Sequence, residues 1–249
     1  MAHTQSQVGK AGYHHGDLEA ALLAQARIFV AEQGADKVSM REVAASLGVS
    51  PSAVYHHFSD RIALLSAVGR IVFDDIADFQ ESALLAHPGK SLAAASARLR
   101  TLGLAYVEFA QANPHLFRLC FGPLCVDPVA AADMEGALRK ENRAWNLLVT
   151  GLDELAAAGG VDPKIRPNAE IMVWSAIHGV ATLILDGLLP PDAVYPLLDT
   201  VSISLMGQVK KTAAPPSKLL PQLTSDEVDY DRDDRRDREI AADKPPHHG

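Results

Sequence analysis

Apolar residues over the first two hundred or so positions recur at spacings of three and four, and no stretch alternates convincingly with a period of two. That rhythm puts one side of a 3.6-residue turn against a core, so it predicts helices and an all-α fold. Leu18, Leu22, Ala26 and Phe29 form one stripe of a first helix from Asp17 to about Gln33, with Gly34 just past its end. Ser39-Met40-Arg41-Glu42 reads as a capping box: the serine hydroxyl accepts from the third helical amide while Glu42 reaches back. It opens a second helix that ends near Leu47, with Gly48 as its stop. Ser50-Pro51 opens a third, a cap followed by the one position where the missing N–H of proline costs nothing. This helix ends by Phe58, and Ser59 is expected to cap a fourth running to about Ala86. Beyond the break at His87-Pro88-Gly89, helices are expected from about Ser91 to Asn113, from Pro114, from Asp127-Pro128 to Gly159-Gly160, from Pro167 to Asp186 and from Asp192 to Gln208. From Lys210 the chain turns to proline and dense mixed charge, as in DYDRDDRRDRE. Such a segment buries too little apolar surface to offset its ordering entropy, so 210–249 reads as a disordered tail.

The second and third helices meet at Leu47-Gly48-Val49-Ser50. Glycine allows the left-handed turn, Val49 can pack inward to set the interhelical angle, and Ser50 caps the next helix at once. With Val43, Ala44, Leu47, Val54 and Phe58 inward, the third helix protrudes as a recognition helix does in a helix-turn-helix. The same turn also occurs in αα-corners buried inside helical cores. Ser52, Ala53, Tyr55, His56 and His57 weigh toward DNA, combining small groups that allow close approach with donors for phosphates and base edges.

Composition changes little. The 249 residues are 48% hydrophobic and 22% charged, ordinary for a globular protein. The polar N-terminus lacks a signal peptide's apolar stretch, no run of about 18 uninterrupted apolar residues suggests a membrane span, and two cysteines are too few for a disulfide framework, so a cytoplasmic protein is expected. The net charge of −8 argues against DNA until it is divided by region. Residues 1–70 carry six Lys/Arg against six Asp/Glu, whereas residues 71–209 carry nine against sixteen. The acidity thus lies mainly outside the helix-turn-helix, although a balance of zero there is itself weak support for phosphate binding.

The run REVAASLGVSPSAVYHHFSDRIALL resembles the N-terminal domain of the tetracycline-repressor (TetR) family, whose pattern joins a GVS turn, an aromatic-rich YxHF end and a K/R-x-x-L start to the fourth helix. The resemblance covers roughly residues 15–65. It implies a transcriptional regulator with a three-helix DNA-binding domain at 16–62, preceded by a flexible arm at 1–15 and followed by a helical ligand-binding and dimerisation domain at 63–209. Carried over by position, Ser50, Ser52, Ala53, Tyr55 and His56 would face the groove, Arg41 would contact a base or phosphate, Ser39 and Pro51 would also belong to the DNA-binding set, and His57 and Arg61 would hold the phosphate backbone. Lys10, His14 and His15 would form an arm on the DNA or a solvated one. Tyr13-His14-His15-Gly16-Asp17-Leu18 and Trp174-Ser175-Ala176-Ile177-His178-Gly179 resemble the branch with a Trp-His-Gly motif in its C-terminal domain. Trp174 and His178 share a helical face, as core partners or ligand contacts, and Gly179 would permit close helix approach.

The last two helices are apolar over much of their circumference, which calls for burial inside the subunit and against a partner. Ile177, Ile184, Val194, Leu198, Val201 and Leu205 are the expected dimer interface, and the family implies a symmetric homodimer reading a pseudo-palindromic operator in double-stranded DNA. Phe79, Leu102, Tyr106, Phe109, Phe117, Phe121, Met134, Trp145, Trp174 and His178 offer enough aromatic surface to line a small-molecule effector pocket, or simply a core. The expected function is a ligand-responsive repressor; a regulator or architectural protein without an effector, and an all-helical enzyme, are the competing classes. No GxSxG, Walker-type loop, GxGxxG or HExxH occurs, so nothing argues for catalysis, and no cofactor is implied. His115, Cys120 and Cys125, with four residues between each, depart from common zinc spacings, and no metal is expected.

Overall fold

The computed structural model describes residues 15–122 and 142–207, with side chains from Leu18 onward. Expectations for the arm at 1–14, for Met134 and Cys125, for the start of the helix at Asp127-Pro128 and for the tail from Lys210 lie outside the described residues. No strand occurs among the described residues. The helices are α1 (His15–Gln33), α2 (Met40–Ser46), α3 (Pro51–His57), α4 (Arg61–Leu84), α5 (Leu92–Ala112), α6 (Pro114–Cys120), α7 (Arg143–Ala157), α8 (Ala169–Leu185) and α9 (Val194–Leu205).

Side-chain caps set most of the boundaries. Ser39 forms the full capping box with Glu42, and the Ser50, Ser91 and Asn142 side chains each accept the amide of the third residue of their helices. The fourth helix departs from expectation. Its cap is Asp60, whose Oδ1 accepts from Ala63 N at 2.8 Å, while Ser59 donates to Asp60. A carboxylate next to a helix's positive end outcompetes a neutral hydroxyl, which explains the one-residue shift.

α1, α2 and α3 close over a small core of Leu22, Ala26, Val30, Val43, Ala44, Val54 and Phe58, completed by Leu64, Leu65 and Val68 from the first turns of α4. α4 then continues into the larger bundle, packing on α5, α6 and α7. α5 is central, in contact with α4, α7, α8 and α9. Gly103 gives room for that: a Cβ there would stand 2.8 Å from Leu198 Cδ2 and 3.2 Å from Ile177 Cδ1, so a side chain would have to displace the ends of these two residues of α9 and α8. The stretch Arg166–Leu185 is long and apolar enough to cross a membrane by length and composition, but in the fold its inward face packs on α5.

Candidate nucleic-acid interface and internal cavity

The turn between α2 and α3 is a Schellman ending. Val49 N donates to Ala44 O at 3.0 Å and Gly48 N to Ala45 O at 3.1 Å, with Gly48 at φ +67°. A left-handed φ costs a side-chain-bearing residue about 1–2 kcal/mol, so glycine is the natural occupant. Ser50 immediately accepts from Ala53 N, and Pro51 takes the first helical position. These bonds fix α3 so that Val54 and Phe58 point into the core while Pro51, Ser52, Tyr55 and His56 stand in solvent, Tyr55 at 53% exposure. Arg41 is exposed on α2, and Ser39 and Ala53 are partly covered. Ser52, Tyr55 and His56 thus form one protruding face with three hydrogen-bonding side chains, one of them carried on the phenol ring.

Two residues expected at the phosphate backbone are placed differently. His57 is largely covered, its Nδ1 3.7 Å from Glu19 Oε2 of α1. The Arg61 guanidinium donates from Nε to Val38 O at 2.8 Å and from Nη2 to Ala35 O. It satisfies carbonyls of the short 3₁₀ turn Ala35–Lys37 and the residue that follows it. Both side chains brace the small domain in the chain by itself, Arg61 turned back onto these carbonyls rather than out into solvent. A step of one or two residues along a short helix is enough to move a side chain from its outer to its inner face, which spacing alone does not resolve.

Inside the larger bundle, α4, α5, α7 and α8 line a cavity with an open mouth. Phe73, Ile76 and Gln80 line it from α4, Leu99, Leu102, Gly103 and Tyr106 from α5, Ala144, Trp145 and Leu148 from α7, and Val173, Trp174 and Ile177 from α8, with Phe121 and Asn142 at the ends of neighbouring helices. Of the expected pocket residues, Leu102, Tyr106, Phe121, Trp145 and Trp174 are in this wall. Phe109 and Phe117 are core residues outside it, and Phe79 lies on the outer side of α4, 42% exposed, with its ring edge-on to Phe109 at 6.1 Å. His178 stands one layer behind the wall. Its Nδ1 is 2.9 Å from the Tyr106 hydroxyl, and it stacks on Phe117 at 5.6 Å between the rings.

Burial drives the electrostatics of this cluster. It pushes the Tyr106 phenol well above its ordinary value, against a smaller opposing effect of a hydrogen bond with Trp174, and it lowers the His178 imidazole. Both groups are therefore neutral at pH 7. The Tyr106 hydroxyl and His178 Nδ1 share one hydrogen bond, its direction following the imidazole tautomer. Trp174 and His178, four residues apart, converge on one tyrosine.

The expected dimer residues need the clearest correction. Ile177, Ile184, Val194, Leu198, Val201 and Leu205 are all buried within the single chain, Leu205 almost completely. The outward face of α8 and α9 carries other residues: Ile171, Leu183, Tyr195, Ile203 and Met206 are exposed, beside an open groove lined by Ser175, Ala176, Gly179, Pro196, Leu197 and Thr200. Gly179 has no neighbour among the described residues within 4 Å of a would-be Cβ, so this side of α8 is open there. On helices apolar all round, the pattern cannot say which side faces home. Cys120 is buried with its Sγ 3.3 Å from Phe117 O, and His115 is exposed beside Gly34.

This fold and its parts have counterparts. Residues 22–68 match the family described as bacterial regulatory proteins, tetR family, and residues 99–201 match the tetracyclin repressor-like C-terminal domain. The chain belongs to the tetR family. As a family member it is a helix-turn-helix DNA-binding transcription regulator. A solved protein of unknown function from Rhodococcus sp. RHA1 is 32% identical, with a TM-score of 0.64 over 79% of this chain and 100% of that one. A TetR family transcription regulator from Marinobacter aquaeolei VT8 has the same fold at 22% identity, with a TM-score of 0.52 over 75% of this chain and 94% of that one. Among curated relatives, the nucleoid occlusion factor SlmA of Citrobacter koseri is 30% identical over 107 residues, 42% of this chain. The tetR chain described here spans half the length of that relative.

Proposed function

We propose that this tetR-family regulator is a ligand-responsive repressor that binds a pseudo-palindromic operator as a homodimer and is released by a small molecule. One observation carries the reading: α4 belongs to both halves of the chain. Its first turns, through Leu64, Leu65 and Val68, complete the core under the recognition helix, and its later turns, through Phe73, Ile76 and Gln80, form a wall of the cavity. A ligand that moves this wall moves the base of the helix-turn-helix, giving the two sites one shared element to bias. In this reading residues 16–62 bind DNA and residues 63–209 bind ligand and partner, and the chain works in the cytoplasm without catalysis. Ser52, Tyr55 and His56 reach base edges, with Arg41, Ser39, Ser50, Pro51 and Ala53 near the backbone. The exposed apolar face of α8 and α9 is the interface with a second copy. Convergence of Trp174 and His178 on Tyr106 supports placing the chain in the Trp-His-Gly branch. Genome-wide mapping of bound sites, followed by release assays with metabolites of the adjacent genes, tests this: bound sites without dyad symmetry would overturn it.

The relationship to proteins named nucleoid occlusion factors favours a second reading, in which DNA is bound without an effector. Sites scattered away from promoters, with no change in reporter output on deletion, would favour it.

A further inference from the structure

None of the described residues lining the cavity is Asp, Glu, Lys, Arg or His, yet two polar atoms buried at its wall have no partner among the described residues. Gln80, only 6% exposed, donates from Nε2 to Leu102 O at 3.0 Å. Only the NH₂ end of the amide can donate to a carbonyl, so its orientation is fixed and Oε1 is the end left over, an acceptor without a donor. On α7, Trp145, another lining residue, is 8% exposed and its indole Nε1–H is a donor without an acceptor. Each is the kind of buried group that a native protein normally satisfies.

Resting on the reading of this cavity as the effector site, we propose that it takes an uncharged molecule with a compact apolar ring body and a hydroxyl or carboxamide, the group donating to Gln80 Oε1 and accepting from Trp145 Nε1. Three features of the wall select this class. A carboxylate or ammonium would be buried with no counter-charge among the described lining residues, at heavy desolvation cost. A pure hydrocarbon would leave both polar atoms unpaired, and sites with such groups reject analogues that lack the matching one. A hydroxyl or carboxamide supplies donor and acceptor together, while Phe73, Tyr106, Phe121 and the two indoles pack the rings.

The chain's only two tryptophans, Trp145 and Trp174, both line the cavity and report its occupancy by fluorescence. The full-length protein is titrated with four compounds on one spectroscopically silent skeleton: 1-adamantanol, adamantane-1-carboxamide, adamantane-1-carboxylate and 1-adamantylammonium. The alcohol and carboxamide should bind at least tenfold more tightly than the two ions. Trp145→Phe and Gln80→Leu, checked for folding by circular dichroism, should each narrow that preference severalfold. Tight binding of either ion, no binding of any of the four, or an unchanged preference in both folded variants would overturn the proposal. Operator release is followed in parallel. An alcohol that binds with the stated preference but leaves the operator occupied supports the cavity chemistry and defeats the ligand-responsive reading. Release by an ion alone does the reverse.

Discussion

At the scale of single residues, the Tyr106–His178 pair makes the sharpest claim. The His178 imidazole is lowered by burial, so in the native protein it stays neutral below the pH at which a free histidine protonates. The unfolded chain takes up that proton at about pH 6.5, and the native chain does not. Stability is therefore full above this value and falls as the pH drops below it, by at most about 1.4 kcal/mol per pH unit for one proton. Urea midpoints at pH 7.5 and 5.5 should show this loss, and His178→Gln should reduce it; an equal pH response in the variant would mean other groups carry the effect. Tyr106→Phe removes the partner of the part-buried imidazole Nδ1, and an unsatisfied buried polar group costs about 1–3 kcal/mol at most, read as a lower thermal midpoint. Gly103→Ala tests packing instead of polarity. Its methyl would meet Leu198 and Ile177, and overpacking of this kind typically costs about 1–3 kcal/mol, read as a lower thermal midpoint.

At the scale of elements, the head of the molecule was largely legible from sequence because its signals are local. A serine followed three residues later by glutamate, a glycine at a left-handed turn and a Ser-Pro start each act within one turn of backbone, and the bonds they predict are present at Ser39, Gly48 and Ser50. What spacing could not tell was which side of a seven-residue helix a histidine occupies, or whether an arginine near a helix start reaches outward or back. Arg61 reaches back to Val38 and Ala35. Its replacement by alanine should therefore lower thermal stability and leave the salt dependence of DNA binding nearly unchanged, whereas loss of a true phosphate contact lowers that slope by about one. Tyr55→Ala with His56→Ala should act oppositely: both side chains are exposed, so stability should hold while sequence-specific binding in a mobility-shift assay is abolished. Unaltered affinity in that double variant would remove α3 from the interface.

At the scale of the whole molecule, the difficulty was the long-range choice of faces on α8 and α9. Apolar residues cover much of the circumference of both, so periodicity assigns no side to the core. The fold decides it through Gly103, which lets Leu198 and Ile177 come down onto α5 and turns Ile171, Leu183, Tyr195 and Ile203 outward. The same choice separates folding from association. Leu198→Asp puts a charge into a site 4% exposed with no partner for it and should give insoluble or unfolded protein. Leu183→Asp with Ile203→Asp changes residues 40% and 52% exposed, so the chain should still fold, with its helical circular dichroism intact. If this face joins two copies, as we propose, four introduced carboxylates would meet across a two-fold axis, and sedimentation equilibrium should report a monomer in place of a dimer. Operator affinity should fall with it, because each monomer then has only one half-site to hold. A folded dimer that persists in the double variant would move the interface elsewhere on the surface, while a wild-type chain that sediments as a monomer would remove the two-fold reading of the operator altogether.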